Sequence, residues 1–303
     1  MTFGGLFVPL ITPFTERDEP AYDVLARLAA EALEAGAAGI VALGTTAEAA
    51  TLTPAERRTV VQVCAQVCLD RGAPLIVGTG GNSTAEAERE LAALDPRIAG
   101  VLTVVPYYTK PSQAGVIEHF RRLAAVSPVP LVIYNIPHRT GRPLDAQTLC
   151  RLAELPNVVG FKHAVGAVDE DTVAFLAAAA QRTAVLCGDD LFTAPLLALG
   201  ARGAILTCAN VATEAYAALV TAWREGRIDT ARRYGDALVE LARALFAEPN
   251  PVVVKAVLAA QGRIPNAAVR LPLLPAAHDT TAAALAAFDL MSDGARTDAL
   301  ARG

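Results

Sequence analysis

Short apolar stretches alternate with longer amphipathic stretches along the chain, and the alternation repeats eight times before residue 225. The apolar stretches predict strands at 5–13, 39–44, 74–80, 100–106, 130–137, 158–164, 184–188 and 203–208. The amphipathic stretches predict helices at 22–35, 54–70, 83–94, 112–126, 145–153, 168–181, 191–199 and 211–224. Strands that alternate with helices at this spacing form parallel sheets. Eight such units predict a closed (β/α)₈ TIM barrel.

A doubly wound open sheet is the alternative fold. Such a sheet usually has fewer strands and a Gly-x-Gly-x-x-Gly turn, and this sequence has no such turn. Further helices are predicted at 229–246, 250–261 and 278–290, after the barrel is complete. We therefore expect a barrel over residues 1–225 and a helical C-terminal extension over 226–303, packed together as a single structural unit.

Composition excludes several functional classes. The 303 residues carry 26 basic and 31 acidic side chains, a formal net charge of -5, and contain no basic block, so nucleic acid is not an expected partner. No apolar run is long enough to cross a membrane, and the first residues lack a signal-peptide pattern, so we expect a cytoplasmic protein. The five cysteines and four histidines are too scattered to predict a disulfide framework or a metal site.

Lys162 is the one charged residue among the apolar side chains of predicted strand six, Val158-Val159-Gly160-Phe161-Lys162. Active sites of (β/α)₈ barrels lie at the C-terminal ends of the strands. Burial disfavours an ammonium ion relative to the neutral amine, and a neutral amine attacks carbonyl groups to form Schiff bases. The alternative is a lysine that reaches solvent or closes a salt bridge, which most lysines do.

Other strand ends carry weaker signals. Gly44-Thr45-Thr46 follows strand two and offers amides and hydroxyls to a carboxylate, although an ordinary tight turn has the same sequence. Pro106-Tyr107-Tyr108 follows strand four, where both phenols also suit simple packing. Asp189 and Asp190 follow strand seven, and two such acids most often cap the next helix.

Strand five ends in Tyr134, which is placed to act as a general acid or base at the barrel mouth. Arg139 follows it and can bind a carboxylate with two hydrogen bonds, or form a surface ion pair. A lysine, a phenol, hydroxyls and an arginine around one mouth indicate Schiff-base chemistry on a 2-oxo acid.

These residues occur in motifs that resemble the pyruvate-dependent class I aldolase superfamily containing dihydrodipicolinate synthase and N-acetylneuraminate lyase. The resemblance extends from Gly5 to about Leu274. The matching segments are Gly44-Thr45-Thr46, Gly78-Thr79-Gly80, Thr103 to Gln113, Tyr134 to Gly141, Gly188-Asp189-Asp190, Glu248-Pro249-Asn250-Pro251 with Lys255, and Arg270-Leu271-Pro272. Arg139 and the Glu-Pro-Asn-Pro segment are typical of the synthase branch.

The resemblance implies roles for the residues at the strand ends. Lys162 would form the imine with pyruvate, and Tyr134 would transfer protons. Thr46 would connect Tyr134 to Tyr108, which in this family comes from the neighbouring subunit.

The resemblance also implies which groups hold the substrates. The amides of Thr45 and Thr46 would bind the pyruvate carboxylate, Arg139 would bind the carboxylate of aspartate 4-semialdehyde, and the carbonyl of Ile205 would line the pocket.

The implied activity is condensation of pyruvate with aspartate semialdehyde in lysine and diaminopimelate biosynthesis, without metal or organic cofactor. The implied assembly is a homo-oligomer, a tetramer built as a dimer of dimers. One alternative is a related aldolase that acts on a sugar acid or another 2-oxo acid with a different aldehyde. Another is a paralogue that binds an oxo acid without catalysis.

Three residues depart from the family pattern. Ala47 replaces the usual glycine, and it would strain the turn if that position needs a positive φ. Phe161 replaces isoleucine before the lysine, and His163 replaces an acid after it. Because adjacent strand side chains face opposite sides, we expect His163 to point away from Lys162 and pack under a helix.

The lysine feedback site of some family members is matched by Asn82, Glu86 and Tyr107. The serine and two histidines of strongly inhibited members are replaced by Ala49, Pro54 and Arg57. We therefore expect weak or no inhibition by L-lysine.

Overall fold

Eight parallel strands close into a barrel in chain order, in a computed structural model that describes residues 3–300. This confirms the (β/α)₈ barrel and excludes the open sheet, because β1 pairs with β8 as well as with β2. The strands are β1 (Gly5–Pro9), β2 (Gly39–Ala42), β3 (Leu75–Thr79), β4 (Gly100–Val104), β5 (Leu131–Asn135), β6 (Val158–His163), β7 (Ala184–Cys187) and β8 (Gly203–Ile205).

Helices follow the strands as the amphipathic pattern predicts. Thr53 starts α2 with a full capping box, since its side chain accepts from the Glu56 N–H and the Glu56 carboxylate accepts from the Thr53 N–H. The barrel helices are α1 (Tyr22–Glu34), α2 (Pro54–Asp70), α3 (Thr84–Ala92), α4 (Gln113–Val126), α5 (Pro137–Thr140), α6 (Ala146–Ala153), α7 (Glu170–Ala179), α8 (Thr193–Ala198) and α9 (Thr213–Arg224).

The strands separate two apolar cores. The outer core lies between the sheet and the helices and includes Val8, Phe161 and Phe175. The inner core fills the barrel and includes Phe7 and Ile205. A strand covered on both faces reads as a continuous apolar run, which is why the strands are visible in the sequence.

The C-terminal extension consists of α10 (Ile228–Leu245), α11 (Val252–Ala260) and α12 (His278–Leu300). The helix predicted at 278–290 continues to Leu300. The helix α10 packs against α9 and α12. The division at residue 225 stays a prediction, and its end at residues 301–303 lies outside the described part of the chain.

The helix α11 is buried along residues 252–258, and this buried stretch contains Lys255. The Lys255 Nζ lies 2.7 Å from Glu48 Oε1, and the two side chains are 0% and 1% exposed. Nearby, the Arg270 guanidinium pairs with Glu56 and Asp18. The extension is thus attached to the β1–α1 and β2–α2 loops by charged groups as well as by apolar packing.

No helix within residues 3–300 combines the length and the apolar character that crossing a bilayer requires.

Barrel closure predicts one sensitive glycine. A Cβ at Gly203 would lie 2.0 Å from the Gly5 carbonyl oxygen and 2.5 Å from the Gly5 nitrogen. We expect Gly203→Ala to lower the free energy of unfolding by about 1–3 kcal/mol or more, because the β1–β8 junction must widen. Urea unfolding measures this. Gly81→Ala is the matched control, since a Cβ there meets nothing within 4 Å. Equal stability of the two variants would contradict this expectation, because it would show that the β1–β8 junction accommodates a methyl group without loss of stability.

Candidate active site

Lys162 and Tyr134 lie side by side at the mouth of the barrel. The parallel register of β5 and β6 pairs Tyr134 with Lys162. The Lys162 Nζ is 4.4 Å from the centre of the Tyr134 ring, and the two residues are 5% and 7% exposed. The interpretation of Lys162 as an ordinary solvent-reaching lysine is wrong. An amine and a phenol are instead held next to each other, with little of either side chain exposed to solvent.

Gly188 makes room for the lysine. It directly follows β7, and a Cβ at this position would lie 2.8 Å from Lys162 Cγ and 3.0 Å from Lys162 Cε. Any side chain here would displace the stem of the lysine. The position of the lysine stem therefore explains why the Gly-Asp-Asp segment begins with a glycine.

The two acids after β7 are not helix caps. Asp189 Oδ2 accepts from the Gly166 N–H at 2.6 Å, and Asp190 Oδ1 accepts from the Cys208 N–H at 2.7 Å. Burial raises the pKa of both carboxyl groups, that of Asp190 to about 6, while the nearby Lys162 charge acts in the opposite direction. These acids connect the β7 end to neighbouring loops and place negative charge near the lysine.

The segment after β2 forms a 3₁₀ turn at Thr45–Ala47. Thr45 and Thr46 open this turn, so their N–H groups have no hydrogen-bond acceptor within it. The Thr46 hydroxyl is buried, lies 3.0 Å from Thr207 Oγ1 and accepts from Asn250 Nδ2 at 3.1 Å. A hydrogen bond from Thr46 to Tyr134 is not among those formed in the described part of the chain.

Sequence reasoning missed two partners of Thr46. Thr207 lies two residues after Ile205 at the predicted end of strand eight, and its position there was the available signal. Asn250 belongs to the Glu-Pro-Asn-Pro segment but received no role. Its Oδ1 atom is buried and has no protein partner among the described residues.

Ala47 does not strain the turn. The left-handed conformation falls on the next residue, Glu48, with φ 53° and ψ 35°, and Ala47 is not among the described residues with positive φ. The condition under which alanine would cost energy here is therefore not met. The Ala47 carbonyl accepts from the Thr12 hydroxyl at 2.8 Å.

The two residues of β6 that depart from the family pattern have side chains outside the barrel mouth. The Phe161 ring packs edge-on against Phe175 of α7 with ring centres 5.0 Å apart. His163 Nε2 lies 3.0 Å from Thr172 Oγ1, and its Nδ1 lies 3.4 Å from Asn135 Nδ2. The expectation that His163 packs under a helix is confirmed, and neither side chain reaches the face that carries Lys162.

Tyr108, Arg139 and Ile205 occupy three different environments. Tyr108 is 85% exposed with φ 68°, and it makes no hydrogen bond within the described residues of this chain. Arg139 is exposed on α5, a short helix absent from the predicted elements, and forms no ion pair among the described side chains. Ile205 is fully buried at the end of β8.

Comparison with known proteins gives consistent results. A model of the Dihydrodipicolinate synthetase family matches residues 2–288. The 4-hydroxy-tetrahydrodipicolinate synthase of Syntrophus aciditrophicus is 43% identical over 276 residues, covering 89% of this chain and 92% of the relative. The synthase structure from Methylacidiphilum fumariolicum SolV superposes with a TM-score of 0.92 at 34% identity, covering 98% of each chain.

A dihydrodipicolinate synthase from Acinetobacter baumannii, solved in complex with pyruvate, superposes with a TM-score of 0.91 at 35% identity. The match covers 96% of this chain and 99% of that one.

His163 predicts a pH-dependent stability. Burial lowers the pKa of His163 from 6.5 to about 4, so the folded state keeps it neutral while the unfolded state gains a proton below pH 6.5. Its contribution to stability is present above pH 6.5 and is lost as the pH falls to 4. We expect His163→Gln to flatten the fall of unfolding free energy in this window by up to about 1.4 kcal/mol per pH unit.

Urea unfolding at several pH values between 7.5 and 4 measures this slope. His119→Gln on α4 is the positive control. Burial also lowers the His119 pKa to about 4, so its removal is expected to flatten the slope as well. A slope unchanged by His163→Gln but reduced by His119→Gln would contradict the assignment.

Proposed function

Because the chain belongs to the dihydrodipicolinate synthetase family, we propose that it condenses pyruvate with L-aspartate 4-semialdehyde to 4-hydroxy-tetrahydrodipicolinate, in lysine and diaminopimelate biosynthesis. It is a lyase of the Schiff-base type. The observation that carries the proposal is the Lys162 amine, buried in the barrel mouth 4.4 Å from the centre of the Tyr134 ring.

The first step is imine formation. The neutral Lys162 amine attacks the C2 carbonyl of pyruvate to give a carbinolamine, and loss of water gives the imine. Tyr134 is the group placed to donate the proton that the leaving hydroxyl needs. Both residues are buried, which limits competition from water at the imine.

The second step joins the two substrates. Removal of a proton from the pyruvate methyl carbon turns the imine into an enamine, whose carbon attacks the aldehyde carbon of the semialdehyde. The aldehyde oxygen takes a proton and becomes the hydroxyl of the product. The substrate amine then attacks the imine carbon, closes the ring and releases Lys162 as the free amine. No redox step occurs, so no oxidant or reductant is required.

Two sites hold the carboxylates in this proposal. The N–H groups at the start of the 3₁₀ turn, on Thr45 and Thr46, which have no acceptor within the turn, bind the pyruvate carboxylate. The exposed Arg139, which has no ion-pair partner among the described residues, binds the semialdehyde carboxylate. The Ile205 carbonyl lines the pocket at the end of β8.

The proposed active form is an oligomer, because one residue of the proton relay would come from a neighbouring subunit. Tyr108 is exposed in the single chain, and no hydrogen bond joins it to Thr46 within the described residues. As in the family, it would complete the proton relay of a neighbouring subunit, with Thr46 between it and Tyr134. We therefore infer a dimer as the smallest active unit, paired into a tetramer.

Arg139, which forms no ion pair among the described side chains, also favours the synthase over a sugar-acid aldolase, since a charged carboxylate receptor suits the semialdehyde better than a row of hydroxyls. A strained turn at Ala47 would favour a non-catalytic paralogue, and the left-handed residue of this turn is Glu48, not Ala47.

Borohydride trapping tests the imine. With pyruvate, the wild-type protein is expected to gain one reduced adduct by intact-mass analysis, and Lys162→Ala none, because the nucleophile is missing. Addition of aspartate semialdehyde to untrapped wild-type protein is expected to give the cyclic product. An adduct without cyclic product would reject the semialdehyde, and no adduct would reject imine chemistry.

Arg139→Ala tests the second substrate. Loss of charge-assisted hydrogen bonds is expected to raise the KM for the semialdehyde roughly 10- to 100-fold, while pyruvate trapping stays unchanged. Arg121→Ala removes an exposed arginine of α4 and is the charge-matched control. An unchanged KM for the semialdehyde in Arg139→Ala would contradict the assignment.

A further inference from the structure

Glu48 adopts a backbone conformation that a residue other than glycine rarely takes. It ends the 3₁₀ turn that contains Thr45 and Thr46, with φ 53° and ψ 35°. The left-handed region brings Cβ close to the following carbonyl oxygen and is unfavourable for an ordinary side chain. A conformation of this kind persists only where surrounding contacts determine it.

Both carboxylate oxygens of Glu48 are engaged by the C-terminal extension. Oε1 accepts from Lys255 Nζ at 2.7 Å, and Oε2 accepts from the Arg270 N–H at 2.8 Å. Glu48 is 5% exposed and Lys255 is fully buried. Neither is among the groups placed around the reacting carbon, so direct chemistry does not explain the pair.

The surrounding contacts make the arrangement rigid. The Lys255 Nζ lies 4.1 Å from the centre of the Phe14 ring, and the Arg270 guanidinium carbon lies 4.6 Å from the same centre. Arg270 also donates to the Thr51 carbonyl at 3.0 Å. The segment after β2 is therefore held from the extension at residue 48 and again at residue 51.

We propose that the Glu48–Lys255 ion pair is a positioning device for the carboxylate site. It fixes the left-handed conformation that ends the 3₁₀ turn and so fixes the direction of the Thr45 and Thr46 N–H groups. Lys255 acts through Glu48 and is a positioning residue. This inference rests on the proposed function, because it assumes that these amides bind the carboxylate of a 2-oxo acid.

Loss of the ion pair is expected to affect recognition of the substrate carboxylate and not attack on its carbonyl carbon. If the pair orients only the amides, its loss weakens binding of a charged 2-oxo acid and leaves attack by Lys162 on a neutral ketone unaffected. Pyruvate and methyl pyruvate differ in just this way. Both offer the same carbonyl, and only pyruvate carries the carboxylate.

The test is borohydride trapping on wild-type protein and on Lys255→Met, as a function of pyruvate and of methyl pyruvate concentration. Lys255→Met is expected to raise the half-saturating pyruvate concentration roughly 10-fold or more, with full trapping at saturation and little change for methyl pyruvate. Thermal unfolding is recorded in parallel, since loss of one partner leaves a buried charge without its counter-ion.

Glu31→Gln is the matched control. It removes the charge that pairs with Arg263, which ties the extension to α1, and with Arg27 on α1. Neither arginine is hydrogen-bonded to the segment after β2 among the described residues. We expect it to leave both half-saturating concentrations unchanged. If Lys255→Met does not fold, Glu48→Gln makes the same test, because it removes the charge and keeps the volume and one acceptor.

An unchanged pyruvate requirement, with or without lower thermal stability, would overturn the proposal and leave the pair as a structural contact. An equal rise for pyruvate and methyl pyruvate would also overturn it, since it would place the effect on Lys162. Failure of the proposed function has a different signature, which is that the wild-type protein forms no pyruvate adduct.

Discussion

Closure of eight parallel strands into one barrel is the constraint on which the rest of this structure depends. Once the barrel is closed, every strand has one face in the interior and one under the helices. The two-residue period of a strand then decides where each neighbour of Lys162 lies. Lys162 faces Tyr134 at the mouth, while Phe161 and His163 pack on α7. A departure from the family pattern at either neighbour therefore changes the packing under the helices and leaves the face that carries Lys162 unaltered.

The second half of the site depends on the segment after β2, which is not held by the barrel alone. Thr46 is hydrogen-bonded to Thr207 from the β8 end and to Asn250 from the extension. Glu48 is paired with Lys255, also from the extension. The C-terminal helices thus contribute to the mouth from outside the barrel. A helical addition to a complete barrel is in this case part of the architecture of the candidate site.

Charge is distributed unevenly around the mouth. Asp190 is buried and Asp189 part-buried near the lysine, with carboxylates held by backbone N–H groups. Arg139 is exposed at the rim without an ion-pair partner among the described residues. The exposed positive charge of Arg139 at the entrance suits the approach of an anionic substrate.

The sequence by itself determined the barrel, the order of its elements and the lysine and tyrosine at its mouth. These follow from local signals: apolar runs, helix caps and polar residues at predicted strand ends. It did not determine that Asp189 and Asp190 bind loops instead of capping a helix, that the left-handed residue is Glu48 and not Ala47, or that Thr207, Asn250 and Lys255 meet the segment after β2. Each of these depends on contacts between residues far apart in the chain, as in the 207 positions that separate Glu48 from Lys255. Such contacts exist only after the barrel has closed and the extension has packed on it, so no local pattern encodes them.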